Sequence, residues 1–290
     1  MTVLDTERVP AASLNFLSLE LTARCQFTCP SQCYAEAGPT RDHGSMTAED
    51  WHRLIDEAAA LGTRTVQFIG GEPTLHPAFT ELDEHALRVG LSVRVHSNLF
   101  KVRAEHWPLF ADPRVSLRTT YHSDVAAEHD KIIGRDGAHA ATRASIVEAV
   151  RRGVRLTVAV VDHGDGQRAE QARAEMEALG VTATVDPVRA VGRAARGLLP
   201  STSALCGRCA DGKAAVLPDG QVAPCEMGRF LATGNVRKTP LASVLASPEW
   251  EQIRASVPAR TSADPCPPDC APSGDTCGPS KGEPCGPMDN

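Results

Sequence analysis

The residues of this sequence best suited to chemistry are its cysteines, which fall into three groups: Cys25, Cys29 and Cys33; Cys206, Cys209 and Cys225; and Cys266, Cys270, Cys277 and Cys285. No cysteine lies between Cys33 and Cys206, so two chemically distinct regions are set apart by a long thiol-free stretch. Disulfide scaffolds belong to short secreted chains. A chain of 290 residues with no basic-then-apolar leader, rich in Ala, Val and Leu, points instead to thiols that ligate metal. In Leu21-Thr-Ala-Arg-Cys25-Gln-Phe-Thr-Cys29-Pro-Ser-Gln-Cys33-Tyr34 three closely spaced thiolates can hold three irons of a cubane cluster and leave the fourth open to a substrate or cofactor. The same spacing also suits a zinc site completed by a histidine such as His43.

What must position these thiols is a repeated unit of amphipathic helix, glycine and short β-rich run. Trp51, Leu54, Ile55 and Ala58 recur at helical spacing behind Thr47 and Asp50, a capping-box pair, and Gly62 precedes the run Thr65 to Ile69. Phe79, Leu82, Ala86 and Val89 form the next stripe, followed by Gly90 and Leu91 to His96. A third helix ends at Gly153 before Val154 to Val161, and a fourth carries Ala169, Ala172, Met176 and Leu179 before Gly180 and Val181 to Val185. The interval between Gly90 and Gly153 has room for two more units, with Pro113 to Arg118 as their strand, and Asn15 to Thr22 is the first strand of all. Six strands alternating with helices make an α/β fold with a parallel sheet and right-handed crossovers, a partial (β/α)6 TIM-like barrel or a full one, with its active site at the carboxyl ends of the strands.

Composition shifts after about Arg196. Ala214 to Pro224 reads as a hairpin around Pro218-Asp219-Gly220, and Ser247 to Ala255 as a short helix. From Pro258 onward Pro, Gly, Ser and Cys dominate, a composition that metal binding by four cysteines would order. The expected organisation is an N-terminal segment over 1–13, the barrel over 14–195, and a small Cys-rich extension over 196–290.

These motifs together resemble the radical S-adenosylmethionine (SAM) superfamily. Gly70-Gly71-Glu72-Pro73, an ordinary βα turn if taken by itself, then looks like the family's site for the methionyl amino group, where glycines let backbone carbonyls approach an ammonium. On that reading Gly71→Val blocks SAM binding and leaves iron unchanged. Ser97 and Asn98 look like the ribose contact, and Tyr34 like the aromatic beside adenine. Arg118 and Thr119, placed at the end of the fourth strand, are expected to contact the SAM carboxylate or ribose, with a surface ion pair as the alternative for Arg118. The chain departs from the usual C-x3-C-x2-C by one residue, since Ser31 and Gln32 both precede Cys33; an extra residue can bulge outward while the thiolates still converge.

Cys206-x2-Cys209, then Gly220 and Cys225, resembles the start of the SPASM extension of peptide-modifying radical SAM enzymes, which holds auxiliary [4Fe–4S] clusters. Gly234-Asn-Val236 fits its texture, and Val188 to Ala194 resembles the join before it. Seven cysteines outside the first loop cannot fill two clusters of four thiolates, so one or two auxiliary clusters are expected and one of them is short of a ligand. Either Cys285 completes the hairpin set and Cys266, Cys270 and Cys277 form an open cluster, or the four tail cysteines stand together. A structural zinc ribbon is the alternative for the hairpin set. Glu226, directly after Cys225, is either a proton acceptor beside the cluster or a solvated surface residue.

The resemblance implies that a low-potential donor of the ferredoxin or flavodoxin type reduces the first cluster, that SAM is cleaved to a 5′-deoxyadenosyl radical, and that this radical abstracts a substrate hydrogen. The favoured outcome is oxidative modification or crosslinking of a ribosomally synthesised precursor peptide. The alternatives are radical chemistry on a small molecule such as a sugar or aminoglycoside, and a non-catalytic iron–sulfur or zinc protein. Too few residues precede the first strand for a winged-helix leader-binding domain, so a separate leader-recognition protein or the barrel face is expected to serve. The net charge of −6 shows no basic footprint for nucleic acid, and no run of apolar residues is long enough for a membrane span, which leads to the expectation of a cytoplasmic protein.

Overall fold

A computed structural model describes residues 14–164 and 166–258. The N-terminal segment and Cys266, Cys270, Cys277 and Cys285 lie outside the described residues. Strands β1 (Phe16–Thr22), β2 (Thr65–Gly70), β3 (Ser92–His96), β4 (Val115–Tyr121), β5 (Leu156–Asp162) and β6 (Thr182–Pro187) lie side by side in chain order, every pair parallel. The crossovers are α1 (Ala48–Ala60), α2 (Phe79–Arg88), α3 (His106–Phe110), the pair α4 (Ala126–Ile133) and α5 (Ala138–Arg151), and α6 (Ala169–Ala178). This is the expected run of six βα units.

Helix α1 shows why the units form. Thr47 and Asp50 complete a reciprocal capping box that satisfies backbone donors at its start. Its apolar stripe, Trp51, Leu54, Ile55 and Ala58, is wholly buried against the sheet. Truncating Trp51 to Ala would cost about 3–5 kcal/mol through lost burial and the cavity left behind. The strands alternate in the same sense: Leu17, Leu19 and Leu21 enter this helix-side core, whereas Ser18, Glu20 and Thr22 lie on the opposite face and are also buried.

The hairpin forms as expected, from β7 (Lys213–Val216) and the antiparallel β8 (Gln221–Ala223), followed by β9 (Thr233–Asn235), α7 (Leu241–Leu245) and α8 (Pro248–Ser256). The sequence did not reveal that β7 pairs parallel with β1, Phe16 opposite Lys213 and Leu19 opposite Val216, so that nine strands make one sheet. Two hydrogen bonds tie this extension to α1: Arg53 donates to the Val236 carbonyl at 3.1 Å, and the Leu241 N–H donates to Glu57 at 2.7 Å.

Candidate active site

The first thiol loop leaves the end of β1 and returns to it. The Cys25 N–H donates to the Gly38 carbonyl at 3.1 Å and the Gly38 N–H to the Ala23 carbonyl at 3.2 Å, closing residues 25 to 37 into one loop. Phe27, Ala35 and Ala37 bury its interior with Cys25, against Ile133 and Ala138, while Cys29 and Cys33 pack on this patch from the cavity side. Burial pushes the Cys25 and Cys29 thiols up to about 12, and the charges of neighbouring groups, Glu72 for Cys25 and Cys33 for Cys29, add to it. Such thiols become thiolates when a positively charged metal centre shares the pocket. Cys25, Cys29 and Cys33 all line one cavity, a set of three thiol donors that suits the three protein-held irons of a cubane cluster.

Gly70 and Gly71 are where β2 passes the root of this loop. A Cβ on Gly71 would stand 2.2 Å from the Arg24 carbonyl oxygen, and one on Gly70, whose φ is +134°, 2.4 Å from that of Thr22. The close approach lets the Gly71 N–H donate to Thr22 at 2.7 Å and the Glu72 N–H to Arg24 at 2.9 Å. Glu72 itself is buried and acts as a hub. Its carboxylate accepts from the Thr74 hydroxyl at 2.7 Å, the Ser97 hydroxyl at 2.9 Å and the Asn98 N–H at 2.8 Å, and it caps the short 3-10 turn that Pro73 begins. Burial raises its pKa while these donors oppose the rise. Asn98 in turn accepts from Gln26 at 3.0 Å, and its amide points at the Cys25 sulfur at 3.6 Å. One polar network thus locks together the thiol loop, the glycine turn and the end of β3.

Two placements differ from expectation. Strand β4 runs on to Tyr121, so Arg118 and Thr119 do not end it, and Arg118 is buried in an ion pair with Asp186 of β6 at 3.4 Å rather than at the surface. Because side chains alternate along a strand, Thr119 turns toward the helix side with Leu117 and Tyr121, and Thr120 lines the cavity in its place. Tyr34 does face the cavity, near the Arg229 guanidinium, 6.0 Å from its ring centre.

The second thiol set gathers where the hairpin ends. The Cys209 and Cys225 sulfurs are 2.6 Å apart, Cys209 also bonds Cys206, and Leu205, Met227, Phe230 and Leu231 enclose them. These hydrogen bonds, with burial, raise the Cys209 thiol far above its usual range. Glu226 is no solvated surface residue. Its carboxylate accepts from Ser18 and, at 2.6 Å, from Gln67, on the inner face of β1 and β2.

Two residues escaped the sequence reading. Glu20 is buried beside Arg229 at 3.5 Å; burial lifts its pKa to about 7, with Arg229 opposing and Glu226 adding. The alternation of Leu17, Ser18, Leu19, Glu20 and Leu21 was the signal that could have marked it. Arg193, in the short helical turn after β6, donates to the carbonyls of Cys29 at 3.1 Å and Ala37 at 2.6 Å, and its own N–H donates to that of Cys33 at 3.0 Å. Gly192 makes this strap possible, since a Cβ there would meet the Tyr34 carbonyl oxygen at 2.3 Å.

Both thiol sets open onto the same cavity of about 280 Å³, whose walls also include Gly70, Gly71, Asn98 and Glu226. The radical SAM superfamily profile matches residues 19–176, and that of the SPASM iron–sulfur cluster-binding domain matches residues 206–272. The chain belongs to the radical SAM superfamily. Membership brings SAM and a [4Fe–4S] cluster as cofactors, and the SPASM match brings auxiliary iron–sulfur clusters. The radical SAM chain is similar to the PqqA peptide cyclase of Rhodopseudomonas palustris, 31% identical over 48% of this chain and 36% of that one. It is also similar to the mycofactocin maturase MftC of Mycobacterium ulcerans, 28% identical over 62% of this chain and 48% of that one. The chain thus spans less than half the length of these two curated relatives. Its fold matches Streptococcus suis SuiB bound to its precursor peptide SuiA, with a TM-score of 0.69 and 13% identity over 84% of this chain and 67% of that one. No helix among the described residues is long and apolar enough to cross a membrane.

Proposed function

We propose that this radical SAM enzyme oxidatively modifies a ribosomally synthesised precursor peptide, in the cytoplasm, with electrons from a ferredoxin- or flavodoxin-type donor and with a separate protein to present the leader. The observation that carries the reading is one cavity whose walls include both thiol sets and Glu226. When bound, SAM and the clusters supply a 5′-deoxyadenosyl radical that removes a substrate hydrogen, and an acceptor for the electron the substrate then gives up. Cys25, Cys29 and Cys33 hold the first cluster, and Cys206, Cys209 and Cys225, with a fourth ligand from the tail, hold an auxiliary one. Gly70, Gly71, Ser97, Asn98 and Tyr34 form the SAM cradle. Glu226, held by Ser18 and Gln67, takes the proton released as the substrate radical is oxidised. The peptide-acting relatives support the substrate class.

The test is anaerobic turnover of the reconstituted full chain with SAM, a reductant and any short precursor peptide found encoded beside its gene. A peptide product lighter by one pair of hydrogens is expected. Glu226→Gln should slow that product far more than it slows deoxyadenosine formation. Conversion of an aminoglycoside with none of the peptide would overturn the reading.

A further inference from the structure

The loop between the second and third thiols carries one residue more than its family's usual spacing: Pro30 and Ser31 are exposed, as an outward bulge requires, whereas Gln32 is half-buried and lines the cavity. Its amide nitrogen lies 3.1 Å from His122 Nε2 and its amide oxygen 2.5 Å from His163 Nε2. His122 directly follows β4 and His163 directly follows β5, so one side chain spans two neighbouring strand ends. A second glutamine braces the same pair through the backbone: Gln167 donates to the carbonyls of His122 at 2.7 Å and Val161 at 2.8 Å, and accepts from the His163 N–H at 2.8 Å.

We propose that Gln32 is the positioning residue of the wide loop, and that by bridging His122 and His163 it sets where Cys33 meets the first cluster. An amide offers one donor group and one acceptor, so it can serve two imidazoles only if one presents a lone pair and the other an N–H. His122 therefore accepts at Nε2 and carries its proton on Nδ1, while His163 donates. Burial lowers the pKa of both imidazoles, which keeps them neutral as the bridge requires. Cys33 is then held from both sides, by the Gln32 bridge before it and by the Arg193 N–H on its own carbonyl. Without the bridge the third thiol would be held only from its C-terminal side, by the Arg193 N–H on the Cys33 carbonyl and the Ala37 N–H on its sulfur at 3.4 Å, and outer hydrogen bonds that orient ligands are worth about 10–100-fold in metal affinity.

The proposal rests on Cys25, Cys29 and Cys33 being the ligands. The experiment compares the parent, Gln32→Leu, Gln32→Glu and the Cys25→Ala/Cys29→Ala/Cys33→Ala variant as reconstituted full chains. The readouts are the rate of iron loss to a chelator and the electron paramagnetic resonance of the reduced cluster with and without SAM. Gln32→Leu should lose iron from the SAM-responsive cluster about 10-fold faster and show a changed response to SAM, with the auxiliary signal intact. Gln32→Glu keeps the reach and the His163 bond, and His122 can meet it by moving its proton to Nε2, but it loses the amide donor that Gln32 offers the Cys29 thiol, so it should fall between Gln32→Leu and the parent. Gln32→Leu indistinguishable from the parent, or Gln32→Glu as impaired as Gln32→Leu, overturns the proposal alone. A SAM-responsive cluster that survives in the triple alanine variant overturns the ligand assignment and the proposal with it.

Discussion

A side chain at position 71 would drive its Cβ to 2.2 Å from the Arg24 carbonyl, one residue before Cys25. Backbone atoms cannot yield that distance, so the loop must shift. The motif by itself suggests that Gly71→Val spares iron; the geometry says otherwise. Gly71→Val should lower both SAM affinity and the iron content of the first cluster, as calorimetry and metal analysis would measure, and parental values for iron would show that the loop absorbs the clash. The cysteines and the glycine turn were legible because their spacing is local. Arg193 reaching Cys29 and Ala37, and Glu226 held by Ser18 and Gln67, depend on which distant strands become neighbours, and spacing along the chain carries no trace of that.

Among the elements, α1 and α2 were readable from their apolar stripes, and the glycines ending them from the need for a left-handed cap. Between Gly90 and Gly153 the strand and the helix ending at Gly153 were readable too, but α3 and α4 were not, because α3 is too short to show a period and the crossover after β4 is split into α4 and α5 around Gly134 and Gly137. Helix α2 hides a different feature. Asp83 lies on its buried face with neither carboxylate oxygen hydrogen-bonded among the described residues, and burial pushes its pKa to about 8, Asp112 and Glu84 adding and Arg114 opposing. In the unfolded chain the group ionises near the usual value of about 3.9. The folded state therefore binds one more proton between these values, and stability should fall as pH rises from about 4 toward 8. Asp83→Asn removes the dependence. Its urea midpoint should exceed the parent's at pH 8 and converge with it below about pH 4, and a constant difference across that window would assign the effect to something other than ionisation.

For the whole molecule, both thiol sets line one cavity, and the proposed function assigns them separate steps that mutation can distinguish. Replacing Cys206, Cys209 and Cys225 with Ala should leave reductive formation of deoxyadenosine measurable while the oxidised peptide disappears; equal loss of both would mean that the second thiol set supports the barrel itself. The joining of β7 to β1 has a bearing of another kind. The first strand emerges from the ribosome early, yet its second neighbour is made roughly 190 residues later, on the order of 10–40 s at ordinary rates of synthesis. Through that interval Phe16–Thr22, buried throughout in the finished protein, offers an unpaired edge with a single charge, the kind of segment that recruits other strands. A chain ended after Ala195 would keep that edge permanently. It should aggregate when expressed, as light scattering of the soluble fraction would show, and nascent chains of the intact protein should depend on a chaperone until Val216 has cleared the exit tunnel.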